Sequence, residues 1–357
     1  MPRYRPVGTH LVSTDQLTEL EAHDPERVRA MQASDDTLEG IRGEPARFEP
    51  IGLNKPLSVE IRHVYTGEHP KGPFPKNDLL VTSAMRSIAT FNAQPRAINF
   101  LTSNLKQHSN LRNPAATEDG TPLVFYSQAL VEENSVMDIE VIFQRFPQAL
   151  FDAASKAFKA AAGIPLFVTQ GTGTALMAAG AVTKLAGGIG EKLFDGRPIF
   201  KQTIELSFTR GGSLVPTEGF HVITGSDFDI IREGLEFDVV QGRLLARGME
   251  YDGPHPYVVI SLDGRVHDDY ADFVPTAASA ALLESFFHAG DGQQQSMGIL
   301  LDAVRLYNDY QFKSKANEVA AEMATLDENS AEYKQLKARY DAYLANMLTD
   351  SFKLNAA

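Results

Sequence analysis

From Met137 to Phe143 every second side chain is apolar: Met137, Ile139, Val141 and Phe143 alternate with Asp138, Glu140 and Ile142. A period of two places the first set on one face of an extended strand and the second on the other. The register is firm, because a slip of one residue would carry two carboxylates into the core. The same pattern recurs where Leu57, Val59 and Ile61 alternate with Ser58, Glu60 and Arg62. Shorter extended runs follow at Leu79–Thr82, Ala97–Leu101, Leu123–Ser127 and Phe220–Thr224, and through Phe200, Ile204, Leu206 and Phe208. Pro256–Leu262 is apolar without alternation and suits a strand buried on both faces.

Turn chemistry divides these runs. Glu132–Ser135 predicts a turn that makes Leu123–Ser127 and Met137–Phe143 a hairpin, and Gln241-Gly242 predicts a second hairpin over Leu235–Arg247. Pro70, Pro73 and Pro75 each lack an N–H donor, so 67–75 is a loop. His221 lies between Phe220 and Val222, which predicts a solvent-facing position on its strand. Many short strands with few helices between them argue for an antiparallel sandwich rather than a doubly wound parallel sheet. The expected fold is α+β: an antiparallel β-sandwich-like core, for which a C2-like topology is one candidate, with a helical insertion and a C-terminal helical hairpin. The implied divisions are a polar lead-in over 1–50, a β-rich body over 51–274 with its insertion at 146–198, and C-terminal helices over 275–357.

The insertion contains 24 consecutive uncharged residues between Lys159 and Lys184. Before them Phe146, Leu150, Phe151, Ala154, Phe158 and Ala161 follow helical spacing, with Lys156 and Lys159 on another face. Such a helix packs on a sheet, or anchors at an anionic membrane surface. Gly163, Pro165 and the polar turn Thr169–Thr174 interrupt the stretch, so two short helices around a turn fit better than a bilayer span. Ala179, Thr183 and Gly187 have the small-residue spacing of close helix contacts. Gly171-Thr-Gly173 imitates a dinucleotide loop, but Leu176 stands where a third small residue belongs and no phosphate-loop lysine follows.

At the C-terminus Thr276 is the expected cap of a helix over Ala277–Phe287, and a long helix runs from about Met297 to Leu326. Asp327–Ser330 then opens a last helix that aligns Leu336, Tyr340, Tyr343, Leu344 and Met347 on one face. Two uses compete for that face: closure inside the molecule, or assembly with a protein partner or a second copy.

The formal charge of −13 is unevenly spread. Twelve acidic and four basic residues lie between 216 and 274, directly after a basic stretch over 151–215. That balance makes nucleic acid a poor partner. The densest carboxylates are Asp227, Asp229, Asp263, Asp268 and Asp269; gathered at one end of a sandwich, they would suit Ca2+, and no other cofactor is implied. The chain has no cysteine, which excludes disulfides and thiolate chemistry, and its nine histidines show no close ligand pair. Ser213 and Ser226 stand beside glycines without a nucleophile-elbow motif. With no secretory signal at its start, the expected protein is a non-enzymatic binding or scaffold protein of the cytoplasm. The rivals are a membrane-associating protein using 146–190, assisted by calcium, and a hydrolase with a dispersed active site.

Overall fold

The structure, a computed structural model, describes residues 3–7, 10–13, 46–69, 77–87, 94–112, 120–161, 163–169, 174–178, 181–185, 196–209, 216–286 and 294–354, with residues 16, 17, 23, 24, 26, 27 and 193 between them. Two seven-stranded sheets and a three-stranded one carry an α+β fold. Every strand pairing among the described residues is antiparallel.

The first sheet runs β2 (His10–Ser13), β1 (Arg3–Val7), β13 (Gly219–Thr224), β17 (Tyr257–Asp263), β3 (Leu57–Tyr65), β6 (Asn110–Arg112), and β7 (Leu123–Ser127) also pairs with β3. The second runs β11 (Ala181–Lys184), β10 (Ala175–Ala178), β9 (Leu166–Thr169), β5 (Arg96–Thr102), β4 (Asp78–Met85), β8 (Asn134–Gln144), β12 (Pro198–Ser207). The small sheet joins β14 (Glu236–Asp238), β15 (Arg243–Ala246) and β16 (Met249–Glu250). Its first turn is the expected one, with Gly242 at φ +64°, a conformation glycine adopts without steric penalty.

One apolar cluster draws on both large sheets. Leu57, Val59 and Ile61 of β3 join Met137, Ile139, Val141 and Phe143 of β8, and Phe273, Ala277 and Ala280 also belong to it. The alternation therefore sends the expected faces of β3 and β8 inward. The outer face of the second sheet is covered by α1 (Gln148–Ala160), whose Leu150, Ala154 and Phe158 pack on Leu80, Ile98, Ile142 and Leu166. The outer face of the first sheet lies under the small sheet, where Tyr65, Val222, Tyr257 and Val259 meet Phe237 and Leu244. Unbroken β17 is accordingly buried along its whole length.

Five expectations change. The 163–184 stretch forms strands β9, β10 and β11 where two short helices were expected, so only the first part of the insertion is helical. Small uncharged residues pack equally well in either form, and here the pairing of β9 with the edge of β5 decides. Leu123–Ser127 and Met137–Phe143 do not make a hairpin: β7 pairs with β3 and β8 with β4 and β12, so the chain crosses between sheets. The polar lead-in contributes β1 and β2, and β1 pairs with β13. His221 is buried, because both faces of β13 are covered. Thr276 lies inside α2 (Phe273–Phe286), its N–H bonded to Asp272 O, rather than at the cap.

The C-terminal helices are α3 (Gln294–Met323), α4 (Ala331–Ala345) and α5 (Asp350–Leu354). Ser330 caps α4 by accepting the Tyr333 N–H at 3.0 Å, a bond that satisfies an orphan first-turn donor. No helix among the described residues is long and apolar enough to cross a membrane. Leu20, Val28, Met31, Pro70–Pro75, Gly171, Gly173, Ala179, Gly187, Ser213 and residues 287–293 lie outside the described residues.

Candidate functional site

The acidic stretch builds the outer cover of the first sheet, and its carboxylates divide according to what they hold. Asp263 ends β17 and is 1% exposed. It accepts the backbone N–H of Glu49 at 3.0 Å and of Arg265 at 3.1 Å, and the Arg265 Nε at 2.7 Å. Burial pushes its carboxyl upward, but the Arg265 guanidinium and the two N–H donors outweigh that and hold it below the usual carboxylate value. On the same face, two residues along β3 from Ser58, the partner of Asp263, buried Glu60 takes Arg62 Nη2 at 2.9 Å and the Tyr270 hydroxyl at 3.1 Å. Burial, with Glu60 second, raises the Tyr270 hydroxyl well above its ordinary value. A carboxylate whose lone pairs are filled by its own chain is an anchor: Asp263 ties down the segment before β3, and Glu60 ties down the 3-10 turn Asp268–Tyr270.

The other acids have separate places. Asp229 closes its own turn, accepting the N–H groups of Ile231 and Arg232 at 3.1 Å each, and meets the Tyr4 hydroxyl at 3.5 Å. Asp227 is largely exposed and stands 3.7 Å from His255 Nδ1. Asp268 and Asp269 are exposed in the 3-10 turn. Among the described residues no three His, Asp or Glu side chains are grouped to hold a metal ion, so these five carboxylates are not one donor set.

Beneath the small sheet, folding gathers histidines that are scattered in sequence. Tyr65 is the hub: its hydroxyl donates to Gly253 O at 2.7 Å and lies 2.7 Å from His108 Nδ1. The one hydroxyl proton being given to the carbonyl, the His108 Nδ1 carries the proton of that second bond. Tyr257 accepts the Leu244 N–H at 3.1 Å and lies 3.3 Å from His63 Nε2, which also bonds Asn110 at 2.8 Å. Tyr251 packs on both tyrosines, and Phe228 stacks on Tyr251 and His255. Burial raises all three phenols, Tyr251 to about 12, so they remain neutral hydrogen-bonding groups at physiological pH. The cluster joins the small sheet to the large one.

Between β7, the start of α2, α3 and residues 346–348 there is a cavity of about 20 Å³, lined in part by buried Asn308, whose Nδ2 has no acceptor among the described residues. That volume admits about one water molecule and no organic substrate. Beside it the fully buried Asp309 accepts the N–H groups of Leu348 and Thr349 at 2.8 Å each, fastening the start of α5 to α3.

The C-terminal hairpin closes on itself. Leu336, Tyr340, Leu344 and Met347 pack with Phe312, Ala316, Val319 and Met323, so the face considered for assembly is used within the molecule. The outward face of α3 is different. Leu306 is 48% exposed and Tyr310, one turn on, 59%, with exposed Tyr307 beside them. The sequence reading places a long helix here without assigning its faces, so it does not single these residues out. The available signal is large apolar side chains one turn apart on the side away from buried Val304, Phe312, Ala316 and Val319. Comparison with known protein families, curated proteins and solved structures yields no match.

Proposed function

We propose that this chain is a non-enzymatic binding or scaffold protein that engages a protein partner through the outward face of α3. The observation that carries the reading is the adjacent exposure of Leu306, Tyr307 and Tyr310 on a helix whose opposite face is locked to α4. Exposed Ile231, Met249 and Val266, by contrast, stand on different turns or short strands. Tyrosine flanked by an aliphatic residue suits a contact surface, since it offers large area, one polar handle and little rotamer entropy to lose. On this reading the two large sheets form a sandwich-like platform; Asn346, which accepts the Ser127 hydroxyl and donates to Ala129 O, ties the C-terminal helices to it, and Asp309 fastens α5 to α3.

The test is photo-crosslinking from position 307 in the full chain, in cells that make it natively, with and without Leu306→Ser plus Tyr310→Ser. The expected result is a discrete protein adduct that disappears in the double variant, while the urea unfolding midpoint stays the same. No adduct, or one indifferent to the two substitutions, overturns the reading.

A further inference from the structure

The two edges of the second sheet are unlike. β11 is four residues long and lies against α3, a short and covered edge. β12 is ten residues long, and no described strand pairs with its outer side. Two hydrogen bonds establish which backbone groups face outward. Phe208 N–H reaches Glu133 O at 2.8 Å, in register with the β8–β12 ladder, so even-numbered residues point their backbone groups at β8. Glu205 O instead accepts the Arg3 guanidinium from outside the ladder. The N–H and C=O groups of Lys201, Thr203 and Glu205 therefore point away from β8, an edge that no described strand pairs with, although Arg3 reaches Glu205 O and β13 comes close to part of it.

The side chains on this edge complement their own reversed sequence. Lys201, Thr203 and Glu205 are all exposed and share the outer face, while Phe200, Gln202, Ile204 and Leu206 are buried on the other. An antiparallel copy centred on Thr203 sets Thr203 against Thr203, and Lys201 of each copy against Glu205 of the other. Shifting the register by two residues either way loses both opposite-charge pairs, whereas the centred one gains them with a Thr–Thr pair. Lys201 already reaches Glu140 at 2.7 Å but keeps 58% of its side chain exposed, and Glu205 makes no ion pair among the described residues. We infer that two copies of this chain pair antiparallel through the free edge of β12, with Thr203 on the two-fold axis, joining their second sheets into one. A symmetric contact of this kind is closed, so it stops at a dimer. Arg3 is displaced from Glu205 O as the strand of the other copy arrives.

Sedimentation velocity of the full chain over a wide concentration range tests this. The wild type is expected to be a concentration-dependent dimer. Glu205→Lys and Lys201→Glu each set like charges opposite one another twice, by symmetry, and each weakens the dimer about tenfold. Mixed, the two variants restore opposite charges at both sites and form a heterodimer of near wild-type affinity. Thr203→Pro removes an outward N–H, which edge strands tolerate, together with the exposed bond from the Thr203 hydroxyl to Asp138, and leaves a folded monomer by circular dichroism. A wild type that is monomeric throughout overturns the inference, including the case in which the edge takes a strand from another protein. So does a dimer indifferent to Glu205→Lys and Thr203→Pro but lost with Leu306→Ser plus Tyr310→Ser, which would assign self-association to α3.

Discussion

The two large sheets satisfy their buried ionisable residues differently. In the first, Glu60, Asp263 and His221 are all at most 4% exposed, each held by partners from outside its own strand or by backbone. The second also buries Asp78, which accepts the backbone N–H groups of Asn104 and Phe146, but leaves its ion pairs to cations on strands at the water. Glu140 is itself covered, but the cations that reach it, Arg96 and Lys201, are 35% and 58% exposed along their side chains. The difference follows from what covers each outer face. The acidic stretch folds back over the first sheet and must satisfy what it buries, whereas α1 and its apolar stripe cover only part of the second. Dry charges make single removals expensive and pH-dependent, and wet ones make them nearly neutral.

The largest effect is expected at Asp263. Arg265→Ala strands a buried carboxylate with only two backbone donors and destabilises the fold by roughly 3 kcal/mol. Asp263→Asn removes the charge with its partner left half in water, and costs about half as much. Urea unfolding at pH 7 measures both; equal losses would break the claim that burial of the carboxylate sets the asymmetry. The sign with pH is also determined. The folded carboxyl titrates below its unfolded value, so its contribution is present above about pH 4 and is lost as pH falls through the folded pKa.

His221 comes next. Burial, opposed by the Thr217 carbonyl at 2.8 Å and aided by Arg5 and Arg3, lowers its pKa to about 4. The unfolded chain takes up this proton near pH 6.5, well before the folded one does. Stability is therefore undiminished above pH 6.5 and falls between pH 6.5 and 4, by about 2 kcal/mol from pH 7 to pH 5. In His221→Gln that acid limb flattens over the same interval. A variant with an unchanged slope in urea midpoints at pH 7, 6 and 5 would place the titration elsewhere.

Much of this contrast is hidden from the linear chain for identifiable reasons. β8 was legible because Asp138 and Glu140 penalise a register slip, and β17 because an unbroken apolar run has no wet face to give. Alternation does not name a partner, however, so β7 read as the other half of a hairpin with β8. It also does not say whether a second layer covers the polar face, which is how His221 was read as solvent-facing. The 163–184 stretch carries no charge to mark a face, and nothing local separates strands from short helices there. Among candidate residues, the acidic loops stood out by density alone. Asp263 differs from Asp227 through Arg265 two residues on and through Glu49, more than two hundred residues away, and only the first of these is local.

The smallest effect sharpens the other half of the comparison. Lys201→Gln removes a cation from Glu140 but leaves Arg96 bound 3.0 Å from its second oxygen, at the wet end of the same sheet. The Glu140 carboxylate keeps a charged partner, and the lost ammonium was mostly solvated, so the monomer loses under about 1 kcal/mol. The residual effect is further reduced by salt, since an exposed pair is screened within a Debye length of about 8–10 Å at ordinary ionic strength. Urea midpoints at low and high salt check this, measured with Thr203→Pro as background so that pairing through β12 does not contribute. A loss approaching that of Arg265→Ala would mean that Arg96 alone does not hold the buried Glu140 carboxylate, and that the two sheets are alike.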